Sequence, residues 1–343
     1  MKDSLRKFDL GRYSIFGILI LLFVASSFLS PNFLGADNII NILRQVTVTT
    51  ILAYGAMMLI VSGHIDLSAG SVIALTGVAG TLVYKAVVNQ AGAVVALLAA
   101  VVVGIVIGVA CNVLSAIMVA NFAVPAFIAT LAVSMVARGA VLLRTGGQNV
   151  TQLGDFTWLG QGQVGLLPIP VIALVLITIV VAYFMTQTKY GRSLYAIGGN
   201  ELAARASGIS LAKSKYKVFI FNGILVGFAG VLFMSRLNSG QPGAGVGYEM
   251  EGITSAIVGG TSFTGGIGTT LGTLAGSLII GLLNNIMTLT GVQSYIQQIV
   301  KGVIIAVAVM WDIRSKQGRT VRVILKGDIT PSASAGAGAV SGQ

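Results

Sequence analysis

Asp66 is the first residue in the chain that could carry chemistry. It follows the second long apolar run, within the stretch GHIDLSAGS, and is close to Ser68 and Ser71. A carboxylate in or at the edge of a membrane segment is costly, so by default it marks a functional site. The simpler interpretation is that Asp66 caps the helix of the next apolar run. A gating or assembly contact and a substrate contact remain as alternatives.

Glu249 and Glu251 are the only acids in the chain within four residues of one another. They stand beside a short, glycine-broken apolar run, where carboxylates could accept hydrogen bonds from the hydroxyl groups of a solute. They could also bind basic residues of a docking partner, and the simpler interpretation is a solvated loop face. Together with Asp66 and Ser68, they are the candidates for a transport path or its gate.

Several kinds of chemistry find no residues to support them. A phosphate-binding loop needs G-x-x-x-x-G-K-[ST] after a strand, and the chain contains no Gly-Lys dipeptide. One histidine, His64, and one cysteine, Cys111, make a zinc site improbable. No Asp-x-x-Asp pair or activated nucleophile is present. We therefore predict no catalytic residue, no metal and no cofactor. An ion-coupled secondary transporter and, with less support, a membrane-embedded enzyme are the alternatives to a transport subunit that takes its energy from another polypeptide.

These residues must be positioned by membrane-spanning helices. Of the 343 residues, 55% are hydrophobic and 9% are charged, against about 25% charged in soluble domains. About 17 to 25 apolar residues cross the roughly 30 Å hydrocarbon layer as a helix. The sequence predicts an all-α integral membrane protein with about ten spans, eight of them firm and two debatable, and the short eighth run is expected to be irregular. The runs are 13–29, 46–62, 67–84, 93–119, 124–143, 166–185, 217–235, 251–263, 268–290 and 296–312.

The distribution of basic residues indicates orientation. Fifteen of the 21 Lys and Arg residues lie before the first span, in 189–217, or after the last span. Cytoplasmic loops of membrane proteins collect such residues, and ten spans place all three segments on one side. The net charge of +11 is thus explained without nucleic acid. We predict one transmembrane domain, 1–328, with both termini cytoplasmic, and a disordered tail, 329–343.

Glycines recur four residues apart in several spans, which places them on one helix face. Small residues there allow close helix contact where lipid gives no hydrophobic drive for association. We therefore predict helix seams, with hinges of a transport cycle as an alternative. The positions are Gly104 and Gly108, Gly223 and Gly227, and Gly268, Gly272 and Gly276.

A short polar helix interrupts the apolar pattern between the sixth and seventh spans. Asn200 is a good N-cap, Glu201 suits the positive end of the helix dipole, and Gly208 is a natural stop. An i, i+4 pair between Glu201 and Arg205 adds only a few tenths of a kcal/mol, so a helix of about seven residues is marginal alone. Its support is either the protein's own bundle or a groove on a partner.

The stretch GGNELAARASGIS, Gly198 to Ser210, resembles the cytoplasmic loop of permease subunits of bacterial ATP-binding-cassette sugar importers. GHIDLSAGS, SGQPGAGVGYEMEGI and VGGTSFTGGIGTTLGTLAGSLIIGLLNN are similar to the branch that handles ribose, xylose, arabinose and galactosides. This similarity covers nearly the whole chain. It implies that 189–217, here called the coupling segment, docks into an ATPase subunit through Gly199, Asn200, Glu201, Ala203, Ala204, Arg205 and Gly208.

The resemblance also implies partners. They are a cytoplasmic ATPase with two cassette domains, which binds ATP and magnesium, a periplasmic or lipid-anchored sugar-binding protein, and a second permease copy or paralogue within the lipid of the bacterial inner membrane. A monosaccharide or a related small polar solute is the implied cargo. Neither the identity of the sugar nor the choice between homodimer and heterodimer follows from these motifs.

Overall fold

The structure is a computed structural model that describes residues 10–327 as a helical bundle with one small β-hairpin. The basic residues before position 10 and the tail 329–343 lie outside the described residues. A four-residue 3₁₀ turn, Gly154–Thr157, precedes α5. The elements are α1 (Leu10–Leu29), α2 (Ala36–Val61), α3 (Ala69–Asn121), α4 (Ala126–Thr145), α5 (Trp158–Gln161), β1 (Gln163–Val164), β2 (Leu167–Pro168), α6 (Ile169–Gln187), α7 (Lys189–Gly199), α8 (Glu201–Ala206), α9 (Leu211–Leu237), α10 (Tyr248–Val258), α11 (Thr270–Leu289) and α12 (Ser294–Gly327).

Helix α3 contains two spans. Its 53 residues would reach about 80 Å as a straight helix, far more than one membrane crossing needs. The backbone breaks at Gly92, with φ 81° and ψ 166°, and the two limbs fold back on each other. A β-carbon at Gly80 would lie 3.3 Å from the carbonyl oxygen of Ala100. The predicted third and fourth spans are thus the N-terminal limb (69–91) and C-terminal limb (93–121) of α3.

Within residues 10–327, seven helices are long and apolar enough to cross a membrane. Since α3 supplies two crossings, these helices give the eight firm spans. The two debatable spans are the less regular ones: α1 has a shorter apolar part, Ile15–Leu29, and α10 has only 11 residues. The all-α fold with about ten membrane segments is confirmed.

The long helices alternate in direction between two ends of the bundle. At one end, here called the α8 end, the last residues of α2 meet α7 and the connection between α10 and α11. The amide of Gly266 donates to the carbonyl oxygen of Val61 there, at 2.9 Å. At the opposite end, Asn38 and Asn285 exchange side-chain hydrogen bonds of 3.2 and 2.7 Å.

The eighth crossing is a broken span, residues 238–258, built from a segment of turns and bends, here called the turn segment (238–247), followed by α10. Val150 and Gly240 form a bridge at the opposite end, where a β-carbon on Gly240 would lie 2.5 Å from Thr81 Oγ1. Farther along, Gly245 packs against Gly70. Residues 70 and 81 of α3 are separated by about 16 Å along the helix axis. The turn segment therefore descends into the bundle, and α10 starts inside it.

The most enclosed of the spanning helices are α2 and α9, whose apolar parts are largely buried. A close seam joins α9 to the C-terminal limb of α3, because a β-carbon on Gly223 would lie 2.7 Å from the Gly108 carbonyl oxygen. Gly104 faces Gly227, and Gly272 and Gly276 pack on residues 255–259 in the same way. The predicted glycine seams are confirmed at these six positions, whereas Gly268 lies in the loop before α11 and not on a helix face.

Candidate functional site

Helix α8 is closed at both ends by its own residues. The side-chain oxygen of Asn200 accepts from the amide of Ala203 at 2.9 Å. At the other end, Gly208 has φ +82°, its amide donates to Arg205 at 3.0 Å, and the amide of Ile209 donates to Ala204 at 3.1 Å. This pair of bonds is the Schellman arrangement, which favours glycine at the left-handed position. The predicted caps are confirmed, on a helix of six residues.

The expected pair between Glu201 and Arg205 is wrong. Glu201 pairs instead with Lys215 on α9, at 3.4 Å. The turn at Gly208 brings the first turns of α9 back beside the start of α8, so the lysine is within reach. The carboxylate is half exposed, and such a pair contributes less than about 1 kcal/mol.

The outer face of α8 is exposed and partly apolar. Leu202 has 79% of its surface accessible, and Ala203, Arg205 and Ala206 are also exposed. Ala204, at 4%, is the buried residue of the helix. An exposed leucine beside an arginine is typical of a surface that binds another protein.

The neighbouring helix α7 holds α8 on the bundle. The hydroxyl of Tyr195 donates to the carbonyl oxygen of Gly268 at 2.9 Å, and that of Tyr190 donates to Ser214 at 2.5 Å. Both phenols are partly enclosed, and burial raises the pKa of each. They therefore stay neutral donors near pH 7. The coupling segment thus rests on its own bundle, and it still presents the α8 face outward.

His64 lies in the turn after α2, beneath the coupling segment. Its Nδ1 is 3.1 Å from the hydroxyl of Ser62, and its ring packs edge-on against Phe219. Burial, reinforced by the charge of Lys215, lowers the pKa of His64 to about 4 despite the opposing charge of Glu201. The ring is therefore neutral at pH 7, as expected for a packed loop residue rather than a proton relay.

Asp66 sits at the centre of a buried polar network. One carboxylate oxygen accepts from the amide and hydroxyl of Ser68, at 2.7 and 2.6 Å. The other accepts from the side chain of Asn222 at 2.6 Å, and Asn222 also donates to Asn112 at 2.8 Å. The first set of bonds closes a turn just before α3, whose N-cap is Ser68, without a side-chain cap bond; the simpler interpretation of Asp66 as the cap of α3 is therefore wrong. The second set ties that turn to α9 and to the C-terminal limb of α3.

Asn112 and Asn222 were not among the predicted site residues. Each is a single amide in a long apolar run, and a polar side chain in a membrane segment commonly bonds across helices. The residue type alone could therefore have marked Asn112 and Asn222 as candidates. It could not have identified the partner of either amide, because Asp66 and Asn222 are 156 residues apart in the chain.

Glu249 and Glu251 lie in the first turn of α10, inside the bundle. The expected solvated loop face is therefore wrong, because the span breaks before α10 and the helix begins below the bundle surface. Glu251 is 13% exposed and forms an ion pair with Lys301 of α12. Its carboxylate also lies 3.5 Å from the side-chain amide nitrogen of Asn284.

Arg138 on α4 holds the turn segment of the broken span. One of its nitrogens donates to the carbonyl oxygens of Pro242 and Ala244, at 2.6 and 2.8 Å. The other donates to Gly70 at 3.3 Å. The carboxylate of Glu249 packs directly against Gly70. This arrangement brings Glu249 near the start of α3, a few residues from Asp66 and Ser68.

The predicted residues therefore form two groups. Asp66, Ser68 and Glu249 converge around the start of α3, and Glu251 lies on the same first turn of α10 with Lys301. The second group is the α8 region, at the end of the bundle. In the described part of the chain, no three His, Cys, Asp or Glu residues are placed to hold a metal ion.

Comparison with known proteins identifies the family. Residues 38–309 match the family described as branched-chain amino acid transport system / permease component. The chain belongs to this family. It is therefore a multi-pass membrane permease component of a transport system, and such a component is not an enzyme.

Individual relatives match over most of their length. The ribose import permease protein of Escherichia coli K12 is 41% identical over 87% of this chain and 92% of its own. The ribose import permease protein of Bacillus subtilis is 39% identical over 86% and 90%. The D-allose transport system permease protein of E. coli K12 is 35% identical over 88% and 91%. No solved structure matches the permease.

Proposed function

We propose that this permease is the membrane-spanning subunit of an ATP-driven importer and forms the path for a monosaccharide. The relatives named for ribose and D-allose transport support a sugar as the cargo. The observation that carries the proposal is the α8 face, in which exposed Leu202 and Arg205 project from a helix capped at both ends. Such a face is suited to a groove on a soluble subunit.

The energy comes from a separate polypeptide. The partner is a cytoplasmic ATPase with two cassette domains that binds ATP and magnesium, and it docks on α8. Asn200, Glu201 and Gly208 shape the helix, while Gly199, Ala203 and Arg205 present its outer surface. Ala204 anchors it on the bundle. The permease itself contributes no covalent chemistry.

The orientation follows from the basic residues. The coupling segment carries Lys189, Arg192, Lys213, Lys215 and Lys217 around α8, and such clusters favour the cytoplasm. The α8 end is then cytoplasmic and so are both termini. The opposite end, with the loop of α5 and the β-hairpin, faces outward toward a sugar-binding protein. The membrane is the bacterial inner membrane.

Two copies, or one copy and a paralogue, enclose the path. Breaks in spanning helices are common near transport sites, because they free backbone groups inside the membrane. The broken span provides such a break, with Glu249 and Glu251 at the start of α10 and with Asp66 and Ser68 nearby. These residues gate the path or contact the solute as the glycine seams slide.

The test replaces the docking face without touching the membrane core. Leu202→Asp should abolish copurification with the ATPase and ATP-dependent uptake, while membrane levels of the permease stay normal. Leu166→Asp is the matched control, since Leu166 is 93% exposed in the β-hairpin at the opposite end, and it should retain the ATPase. Retention of both ATPase and uptake in Leu202→Asp rejects the proposal.

A further inference from the structure

A junction of three backbones lies at the end of α7, just before α8 begins. Gly198, near the end of α7, touches the carbonyl oxygen of Val61 at the end of α2 and the amide of Gly266. The same amide donates to the Val61 carbonyl at 2.9 Å. A β-carbon on Gly198 would overlap the Val61 oxygen and lie 2.5 Å from the Gly266 nitrogen. The contact therefore exists only because residue 198 has no side chain.

The loop that Gly198 contacts is the connection between α10 and α11, residues 259–269. It is compact, because Ser262 accepts from Gly265 at 3.0 Å and donates its amide to Ile267 at 2.9 Å. Its carbonyl at Gly268 receives the hydroxyl of Tyr195 on α7. Helix α7 thus contacts this loop at two points, through the backbone of Gly198 and through the hydrogen bond of Tyr195.

The same loop is tied to α12. The carboxylate of Asp312 accepts from the hydroxyl of Ser262 at 2.9 Å and from the amide of Phe263 at 3.0 Å. Displacement of the loop therefore reaches α10, α11 and α12 together. Helix α10 has 11 residues, about 16 Å, and its far end carries Glu249 and Glu251.

The geometry points to Gly198 as a positioning residue that delivers movement of α8 to the end of α2 and, through loop 259–269, to the broken span. This inference rests on the proposed function, because it presumes that an ATPase moves α8. Backbones in direct contact transmit a displacement efficiently, because no flexible side chain lies between them to absorb it by changing rotamer. A rigid α10 then carries it from the α8 end to the acids inside the bundle.

A glycine without such a contact provides the control. Gly17 lies within α1, and a β-carbon there would have nothing within 4 Å. Neither Gly17 nor Gly198 has a positive φ, so alanine suits the local backbone at both positions. Gly198→Ala and Gly17→Ala therefore differ in the contact and hardly in helix propensity.

The experiment uses the complete transporter, with its ATPase and binding protein, in proteoliposomes. For Gly198→Ala we expect normal copurification of the ATPase and continued ATP hydrolysis. Solute uptake per ATP should fall about tenfold, within the roughly 5- to 150-fold range of coupling between distant sites. Gly17→Ala should keep the ratio of the unmodified protein. Equal ratios in the two variants overturn the inference, and so does loss of the ATPase from Gly198→Ala, which would make the glycine a docking element.

A second variant guards against a folding defect. Tyr195→Phe removes the hydrogen bond to Gly268 without adding volume, and uptake per ATP should fall about two- to fivefold, as expected for one hydrogen bond. An unchanged ratio contradicts the inference. Failure of the proposed function looks different, because the unmodified permease would then bind no ATPase or would transport without ATP.

Discussion

The coupling segment and the broken span both interrupt the regular pattern of spanning helices, yet they are held by different kinds of contact. Helix α8 is fixed by bonds between residues three to five apart, at Asn200 and Gly208. Helix α10 and the turn segment before it are fixed by residues far away in the chain. Glu251 pairs with Lys301, 50 residues on, and Arg138 grips Pro242 across 104 residues.

This difference teaches how each part can move. A helix whose bonds are internal keeps its shape when it is displaced, so α8 can travel as a unit with a docked partner. A segment held by long-range polar contacts changes its neighbours when it moves. The broken span is therefore the part whose rearrangement alters the interior of the bundle.

The largest effect is expected from the buried network near the broken span. Asn222→Leu keeps volume but removes the donor to Asp66, leaving a buried carboxylate with fewer partners. We expect the free energy of unfolding to fall by about 3 kcal/mol, seen as a lower unfolding temperature in detergent. Asn41→Leu, on an exposed part of α2, is the control. If both variants unfold alike, long-range bonds do not dominate this region.

A smaller effect is expected at the ion pair that joins α10 to α12. Glu251→Gln, Lys301→Met and the double variant form a mutant cycle. Since the pair is partly buried, we expect a coupling energy of about 1–2 kcal/mol in unfolding. If the changes in unfolding free energy of the two single variants simply add in the double variant, the ion pair does not hold α12 against α10.

The smallest effect is expected in the coupling segment. Asn200→Ala removes the cap of α8 and should cost about 1 kcal/mol, confined to the helix. Hydrogen exchange at residues 203–208 should accelerate about fivefold, with global unfolding unchanged. Ser210→Ala is the control, because Ser210 precedes α9 without a side-chain cap bond. A global loss of stability in Asn200→Ala would contradict the claim that α8 is held mainly by local bonds and the broken span by long-range ones.

Residues with local interactions could be predicted from the sequence. The caps of α8 depend on neighbours within a few positions, and the spans depend on hydropathy over about 20 residues. The break before α10 was visible as a short glycine-rich run, although its helix is 248–258 rather than 251–263.

Residues with distant partners could not be predicted. Arg138 and Lys301 are single cations in apolar runs, and the sequence does not say which acid or carbonyl each one meets. The prediction that Glu249 and Glu251 are solvent-exposed was wrong for the same reason, because the fold of the turn segment decides their depth in the bundle. Glu201 pairs with Lys215 and not with Arg205, because a turn brings α9 alongside α8.

The most direct test of the central claim is thiol labelling of the α8 face. Cys111 is the single native cysteine, so Leu202→Cys can be labelled alone in a Cys111→Ser background, with Leu166→Cys as the reference at the opposite end. We predict that the thiol at position 202 reacts readily with a maleimide in the free permease and becomes protected when the ATPase subunit is added, while position 166 stays reactive. Equal reactivity at position 202 with and without the ATPase would contradict the account.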